Sequence, residues 1–328
     1  MTALLEIENL RVRFKTKSTL QALINRDIDP FIDAVCSVSL TLDPGETIAL
    51  VGESGAGKTT LARAVIGLTH AQEGTIRFNG QKINGLTDRA FKSVRRDVAM
   101  MFQDPAGSLS PRLTVGSLIT EPFRIHNIPL ADVRAKAIEL LNLVGLPDAF
   151  AGVYAHQLSG GQARRVGVAR ALALSPKLII ADEPTAGLDV SVQGEILNLM
   201  NRLQEETGVG FLIITHNLNI VRHISQRMAI MYLGRFVEFG LTDDIFANPL
   251  HPYTLALLSA NPSPDPNKPK EKLSLRGEIP SLINRPQACE FHPRCPFARK
   301  ACSKKTPGIV YPRAGHSVAC HFPLINNS

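Results

Sequence analysis

The chain has 328 residues, of which 44% are hydrophobic and 20% are charged, and its formal net charge is +7. This length can bury the cores of two domains, and the composition excludes a disordered or fibrous chain. No apolar run reaches the roughly 18 residues of a membrane-spanning helix, and the first residues lack the pattern of a signal peptide. We therefore expect a cytosolic protein that reaches a membrane only through partner proteins.

Short β-strands are predicted over the first hundred residues. The candidates are Leu4–Phe14, Thr47–Val51, Thr75–Phe78 and Val98–Phe102, separated by turn residues such as Asn and Gly. The polar stretch Lys15–Ala34 is longer than a hairpin turn, and it is interpreted either as an insertion or as a loop that contacts a partner.

A glycine-rich loop, Gly52–Thr60, lies between a predicted strand and a helix predicted over Leu61–Leu68, and it matches the pattern G-x-x-x-x-G-K-[ST]. Its glycines allow backbone N–H groups to face phosphate oxygens, and the helix start adds partial positive charge. Lys58 can reach the β- and γ-phosphates, and the Thr59 hydroxyl can ligate Mg²⁺. The loop therefore predicts binding of a nucleoside triphosphate. The candidate contacts are Gly52, Ser54, Gly55, Gly57, Lys58, Thr59 and Thr60.

Residues 104–175 change to helical patterns, with helices predicted over Ala131–Val144 and Gly160–Leu174. The apolar face of the first helix is predicted to hold Val133, Ala137, Leu140, Leu141 and Val144. The second helix opens with the sequence Leu-Ser-Gly-Gly-Gln at 158–162, which presents a hydroxyl and backbone N–H groups at a positive helix end. One nucleotide rarely needs two such loops from one subunit. We therefore expect the second to serve the ATP of a neighbouring subunit.

Strands and helices alternate after this region. Buried strands are predicted over Leu178–Asp182, Phe211–Thr215 and Met228–Leu233. A helical apolar stripe between them is predicted to be core. It comprises Val192, Ile196, Leu199, Met200 and Leu203. This alternation predicts an α/β fold with a mainly parallel sheet.

Four polar side chains follow the ends of predicted strands, where they project towards the carboxyl edge of the sheet. Asp182 can hold Mg²⁺ directly or through water, and Glu183 can orient or deprotonate the attacking water. Gln103 and His216 lie at the ends of two other strands. A structural role is the alternative for each residue taken alone, and their joint occurrence favours one ATP site.

The composition changes towards the C-terminus. Residues 256–328 hold 11 of the 22 prolines and carry 11 Lys/Arg against 4 Asp/Glu, which predicts a separate module. A solvated basic surface fits better than nucleic-acid binding, because no aromatic stacking platform is present. The segment also holds four cysteines spaced C-x5-C-x6-C-x17-C, namely Cys289, Cys295, Cys302 and Cys320. Cytosolic chains seldom hold structural disulfides, so zinc, an iron–sulfur cluster and free thiols remain open.

The whole set of motifs resembles the ATP-binding cassette ATPases. The phosphate loop, Gln103, the 158–162 signature, Leu178–Glu183, the Gly187-Leu188-Asp189 D-loop and His216 occur in the order of that family. The resemblance implies a P-loop NTPase with a RecA-like core, an antiparallel β subdomain and an inserted α-helical subdomain. The expected division is residues 1–103 and 176–255 for the core with its N-terminal β subdomain, 104–175 for the helical and signature subdomain, and 256–328 for a small irregular Cys-rich module.

The resemblance also implies a head-to-tail pair of subunits with two ATP molecules at their interface. Each ATP would lie between the phosphate loop of one subunit and the signature of the other, namely Ser159, Gly160, Gly161 and Gln162. Glu183 would polarise the attacking water, His216 would contact the γ-phosphate, and Asp189 would belong to the D-loop.

The same family pattern implies that Mg²⁺ is held through Thr59, Gln103 and Asp182, and that Gln103 links this site to a membrane partner. Phe14 lies where the family stacks an aromatic ring on adenine. The alternative for Phe14 is a core side chain at the end of a strand.

Further residues resemble the ATPase subunits of oligopeptide and dipeptide importers, namely Gln103-Asp104-Pro105, Ser108–Arg112, His251–Thr254 and Leu257-Leu258. This resemblance implies a peripheral subunit at the cytoplasmic face of the inner membrane that couples ATP hydrolysis to uptake. The expected partners are a related second ATPase in a heterodimer, two transmembrane permeases and a periplasmic or extracellular substrate-binding protein, with no nucleic acid. The alternative cargoes are nickel chelates, opines and sugar-linked compounds. The resemblance further implies a [4Fe-4S] cluster on the four cysteines, with Zn²⁺ as the alternative.

Overall fold

The computed structural model describes residues 2–15, 31–260, 273, 275, 277–278 and 280–325. Most of the stretch Lys15–Ala34, interpreted above as an insertion or a partner-contacting loop, lies outside these residues.

The strands in chain order are β1 (Leu5–Lys15), β2 (Phe31–Leu42), β3 (Thr47–Val51), β4 (Glu73–Phe78), β5 (Gln81–Lys82), β6 (Val98–Met101), β7 (Leu178–Asp182), β8 (Gly210–Thr215), β9 (Arg227–Tyr232), β10 (Arg235–Leu241), β11 (Val310–Arg313) and β12 (His316–Val318). The α-helices are α1 (Lys58–Val65), α2 (Asp88–Asp97), α3 (Pro105–Ser108), α4 (Val115–Ile125), α5 (Val133–Leu143), α6 (Gly160–Leu172), α7 (Val190–Thr207), α8 (Leu218–Ile224), α9 (Thr242–Ala247) and α10 (Pro252–Ala260). Short 3₁₀ turns cover Asp148–Gly152, Ala155–Gln157 and Lys300–Ser303.

Two sheets form the framework. The smaller sheet is antiparallel, with the order β2-β1-β4-β5, and the larger has eight strands in the order β11-β12-β10-β9-β3-β8-β7-β6. The strands from β9 to β6 run parallel, and every residue of β3, β7 and β8 is buried. Continuous burial is typical of parallel strands covered on both faces, and the mixed arrangement confirms the predicted α/β class.

The helical region between β6 and β7 packs onto an apolar cluster in which residues of α4, α5 and α6 meet residues of β7, β8 and α7. Helix α5 begins where Asp132 caps it, because this carboxylate accepts the N–H groups of Arg134 and Ala135 at 2.8 and 3.0 Å. Val133 was predicted to lie on the buried face, but 54% of it is exposed because it belongs to the first turn beside the cap.

The proline-rich segment is joined to the main sheet. Strand β12 pairs antiparallel with β10, with Val318 opposite Glu238 and Ser317 opposite Phe239, and β11 pairs in turn with β12. The buried carboxylate of Glu238 on β10 accepts a hydrogen bond from Nε2 of the buried His316 on β12 at 2.7 Å. The segment predicted as a separate module therefore extends the core sheet, while its boundary at residue 256 stays a prediction.

Across the described ranges, none of the helices combines the length and apolarity that crossing a bilayer would require.

Candidate nucleotide site

The residues predicted to bind and hydrolyse a nucleotide leave the carboxyl ends of adjacent parallel strands. Gly52 follows β3, Glu183 follows β7 and His216 follows β8, while Gln103 lies two residues beyond β6. Val51 is in register with Thr215, and Asp182 with Ile214. The register therefore brings these strand ends to one edge of the sheet, which is where open α/β sheets bind ligands.

The backbone of the phosphate loop needs glycine at two positions. A Cβ at Gly52 would collide with the carbonyl oxygen of Met231, and a Cβ at Gly57 would collide with that of Ala34. Gly57 also has φ = +103° as the N-cap of α1, and no side chain among the described residues caps this helix. The N–H groups of the first helical turn are therefore left for another acceptor, as an anion site requires.

Lys58 places a cation against this loop. Its Nζ donates to the carbonyl oxygens of Gly52 at 2.7 Å and Glu53 at 3.0 Å, and the residue is only 8% exposed. Burial lowers the pKa of Lys58, while the charges of Glu183 and Asp182 oppose that shift. The ammonium group is thus held against the loop by two backbone carbonyls.

Thr59 and Asp182 meet across the start of α1 and the end of β7. The Thr59 hydroxyl donates to Oδ2 of Asp182 at 2.9 Å, although the two residues are 123 positions apart. Burial raises the pKa of Asp182, and the bond from Thr59 counteracts it. One hydroxyl and one carboxylate fit Mg²⁺, which takes few protein ligands and completes its shell with water and phosphate oxygens. At this edge the backbone carbonyl of Gln103 accepts a hydrogen bond from Arg164 at 3.2 Å, and the predicted contact of Gln103 with Mg²⁺ stays a prediction.

Glu183 is held by the end of β8. Its Oε1 accepts His216 Nδ1 at 2.6 Å and the His216 backbone N–H at 3.2 Å, while Oε2 accepts the Thr215 hydroxyl at 3.3 Å. Its φ of +50° is unusual for a residue with a side chain. The carboxylate side chain is 12% exposed and that of His216 is 72% exposed. The structure thus brings together the two residues predicted to be catalytic.

The predicted signature caps helix α6. Ser159 Oγ accepts the Gln162 N–H at 3.3 Å, and Gln162 Oε1 accepts the Ser159 N–H at 2.9 Å, which forms a capping box. Ser159 and Gly160 are exposed, and Gly161 is half-buried. The segment is therefore bonded within itself and presents its helix start to the outside.

Asp189 of the predicted D-loop plays the same part for α7, because its Oδ1 accepts the Val192 N–H at 3.0 Å and the Ser191 hydroxyl at 2.7 Å. These bonds, first that from Val192, lower the pKa of Asp189.

Phe14 lies near the end of β1, opposite Ile32, and is 45% exposed. That exposure does not fit a core side chain, and its role as an adenine platform stays a prediction.

Arg164 is a residue of the site that the sequence reasoning missed. It is 3% exposed, and it donates to the carbonyl oxygens of Gln103 at 3.2 Å, Glu183 at 3.4 Å and Ala186 at 2.8 Å. Burial lowers the pKa of Arg164. One guanidinium on the signature helix therefore joins the loops after β6 and β7. The sequence does not single out Arg164 for this role, because Arg164 and Arg165 both stand between the apolar residues Ala163 and Val166.

The four tail cysteines line one small cavity, together with residues that include His292 and Phe322. Burial, and then the other three thiols, raise the pKa of Cys320 to about 11. All five cysteines are free. Even so, the residues that the structure describes contain no group of three or more Cys, His, Asp or Glu arranged to hold a metal ion. The donor set suits zinc or iron–sulfur chemistry, but the described geometry does not support the predicted site.

Comparison with known proteins defines the class of protein. Residues 35–186 match the family described as ABC transporter, and residues 237–302 match the family described as the C-terminal region of oligopeptide/dipeptide transporters. The dimeric ATP-binding cassette MJ0796, solved in a post-hydrolysis state with ADP and Pi, aligns with a TM-score of 0.64 and 29% identity over 73% of this chain and 98% of that one. The fold and the phosphate loop are thus those of an ATP-binding cassette ATPase.

Relatives of similar length narrow the family. The oligopeptide transport ATP-binding protein AppF of Bacillus subtilis is 45% identical over 323 residues, covering 97% of each chain. OppF of Escherichia coli, which carries the same description, is 45% identical over 97% of this chain and 95% of its own. The chain belongs to the ATP-binding subunits of the oligopeptide/dipeptide ABC importer family, which confirms the resemblance drawn from its motifs.

Proposed function

We propose that this chain is the ATP-binding and hydrolysing subunit of a peptide importer, and that it couples hydrolysis to uptake through partner permeases. The observation that carries the proposal is the Glu183–His216 pair beside the Thr59–Asp182 pair, at the sheet edge that the phosphate loop occupies. The peptide cargo follows from relatives described as oligopeptide transport proteins.

In this proposal the phosphate-loop N–H groups and Lys58 bind the β- and γ-phosphates. Thr59 and Asp182 hold Mg²⁺, which when bound neutralises phosphate charge. Glu183 orients a water molecule and accepts its proton, so that the water oxygen bonds to the γ-phosphorus while the bond to ADP breaks. His216 keeps the Glu183 carboxylate in place through the 2.6 Å bond from Nδ1.

The other half of each site comes from a second cassette subunit. The exposed start of α6 at Ser159 and Gly160 supports this arrangement, since its N–H groups are presented outwards as a second anion site. We take the partner to be a related ATPase in a heterodimer, with residues 104–175 as the helical subdomain beside the permeases. Two permeases, an external binding protein and a peripheral position at the cytoplasmic face complete the assembly.

The four tail cysteines are proposed to bind a metal centre, [4Fe-4S] in the first instance and Zn²⁺ as the alternative. The support is that all four thiols line the same cavity. Anaerobic purification with iron, sulfide and zinc analysis tests this: iron and sulfide in equal amounts support a cluster, zinc without iron supports the alternative, and neither metal contradicts the proposal.

The mechanism is tested with Glu183→Gln in the complex reconstituted with its permeases. The rate of ATP hydrolysis should fall by about 100-fold or more, because the glutamine amide cannot accept the proton of the attacking water. ATP binding should be kept, because the two side chains have nearly the same shape. Glu195→Gln is the matched control, since this exposed glutamate on α7 pairs only with Arg165 in the described residues. Unchanged hydrolysis in the Glu183 variant would show that the mechanism is wrong. Cargo is tested in the wild-type complex, where peptide-loaded binding protein should stimulate hydrolysis.

A further inference from the structure

The tail reaches the phosphate loop through one buried arginine. Arg294 is 5% exposed, and its guanidinium forms a two-point salt bridge with Glu53, with Nη1–Oε2 at 2.7 Å and Nη2–Oε1 at 2.9 Å. The partners are 241 residues apart in sequence. Glu53 is the second residue of the Gly52–Thr60 loop, so this contact lies inside the nucleotide-binding motif.

Glu53 is held from several sides. Its backbone N–H donates to the hydroxyl of Tyr253 at 3.0 Å, and its carbonyl oxygen accepts the Lys58 ammonium at 3.0 Å. Glu53, the partner of Arg294, is therefore also hydrogen-bonded to Lys58, the lysine expected to bind phosphate.

A buried cluster of three aromatic side chains holds the backbone next to Arg294. Phe291, whose carbonyl accepts the Arg294 N–H at 3.0 Å, packs against Tyr232 and Tyr253 with ring centroids 5.3 and 5.4 Å apart. All three aromatic residues are at most 2% exposed. A bidentate arginine on such a base fixes both the position and the charge of its partner.

The charge of Glu53 explains what this contact does. A free carboxylate in a loop that receives a triphosphate repels the incoming anion, whereas a paired one is neutralised. We infer that Arg294 is a positioning residue of the ATP site, which neutralises Glu53 and holds the phosphate loop, so that the tail sets the affinity of the chain for ATP. This inference rests on the proposed binding of ATP at the loop.

The test is equilibrium binding of a fluorescent ATP analogue with Mg²⁺ to the full chain, with Tm measured alongside. Arg294→Met should weaken binding roughly tenfold, because Glu53 is left charged and unpaired. The double variant Glu53→Gln/Arg294→Met should recover to within about threefold of wild type, since the repelling charge is gone. Arg299→Met is the matched control: this exposed tail arginine lies over the Phe322 ring, 4.2 Å from its centroid, and should bind ATP as wild type does.

The outcomes separate the two ideas. If wild type does not bind the analogue, the proposed function fails. If wild type binds and Arg294→Met binds within twofold of it, or if the double variant is as weak as the single one, the inference is overturned. Should Arg294→Met not fold, Glu53→Gln alone decides the question. It leaves the Arg294 cation beside the loop, so it should tighten binding about twofold, and tenfold weaker binding would refute the electrostatic argument.

Discussion

Replacement of Arg164 by methionine should lower the rate of ATP hydrolysis much more than it lowers the stability of the fold. A hydrogen bond to a charged group contributes about 1.5–3 kcal/mol. The bonds to Ala186 at 2.8 Å and Gln103 at 3.2 Å have ordinary lengths, and the bond to Glu183 is longer at 3.4 Å. The gross loss is therefore about 3–4 kcal/mol. This loss is partly offset, because burying the Arg164 guanidinium costs desolvation free energy that methionine does not require. Among the described residues, no carboxylate forms a hydrogen bond with this guanidinium to compensate for that cost. We expect a net loss of stability of only about 1–2 kcal/mol.

The effect on turnover should be larger relative to that loss. The three carbonyls belong to the loops that carry Gln103, Glu183 and the D-loop, and without a shared donor these loops can shift independently. If about 2 kcal/mol of the lost interaction acts in the transition state, kcat falls about 30-fold. KM should change less than about threefold, because Arg164 does not contact the phosphate loop.

The assay is steady-state hydrolysis by the reconstituted complex over a range of ATP concentrations, with urea unfolding of the isolated chain. Arg165→Met is the control on the same helix, because its guanidinium bonds Val144 and Glu195 and not the nucleotide loops. Turnover of Arg164→Met within twofold of wild type, or an equal loss in Arg165→Met, would refute the reasoning.

Substitutions at three other positions test separate parts of the structure. Thr59→Val should raise the Mg²⁺ concentration that half-saturates hydrolysis at least tenfold, while Thr59→Ser, which keeps the hydroxyl that meets Asp182, should restore it in a Mg²⁺ titration. Burial lowers the pKa of His251 to about 4, so its contribution to stability is present above pH 6.5 and is lost as pH falls towards 4. Urea unfolding should show about 3 kcal/mol of acid destabilisation that is missing in His251→Asn; equal pH slopes would contradict this. His316→Ala removes one donor from the buried Glu238 carboxylate and should lower the unfolding free energy by about 2–3 kcal/mol, seen as a fall in the thermal midpoint of roughly 5 °C. A midpoint shift below 1 °C would show that the pair contributes little.

The strands and helices that form the predicted nucleotide site could be predicted from the sequence, because their patterns lie within short stretches of the chain. Thr47–Val51 and Leu178–Asp182 were predicted with the bounds that the structure shows, since a continuous apolar run ending in Gly or Asp is typical of a parallel strand. Motif chemistry also assigned Thr59 and Asp182 to Mg²⁺, and the structure brings their side chains to 2.9 Å from each other.

Other features depend on contacts between distant residues. β2 begins inside the polar stretch Lys15–Ala34 and was not predicted, although residues 37–42 alternate between polar and apolar as a half-buried strand does. Its first residues lie in the polar stretch and are in a strand through pairing with the end of β1. Nothing local marks Arg164 as the link between two loops, or Arg294 as the partner of a residue 241 positions away. The grouped cysteines suggested a metal and the family resemblance suggested a [4Fe-4S] cluster, but spacing alone does not fix where side chains lie. The described residues form no group of three or more potential metal ligands.

The union of β12 with β10 has a consequence for biosynthesis. The sheet that carries the phosphate loop near residue 52 receives β12 from residues 316–318, so translation must pass residue 318 before β12 can pair with β10. Until then β10 presents unpaired backbone groups, which favour pairing with other chains. A ribosome that stalls before residue 316 would thus release a cassette whose motifs are all translated but whose sheet still has an open edge.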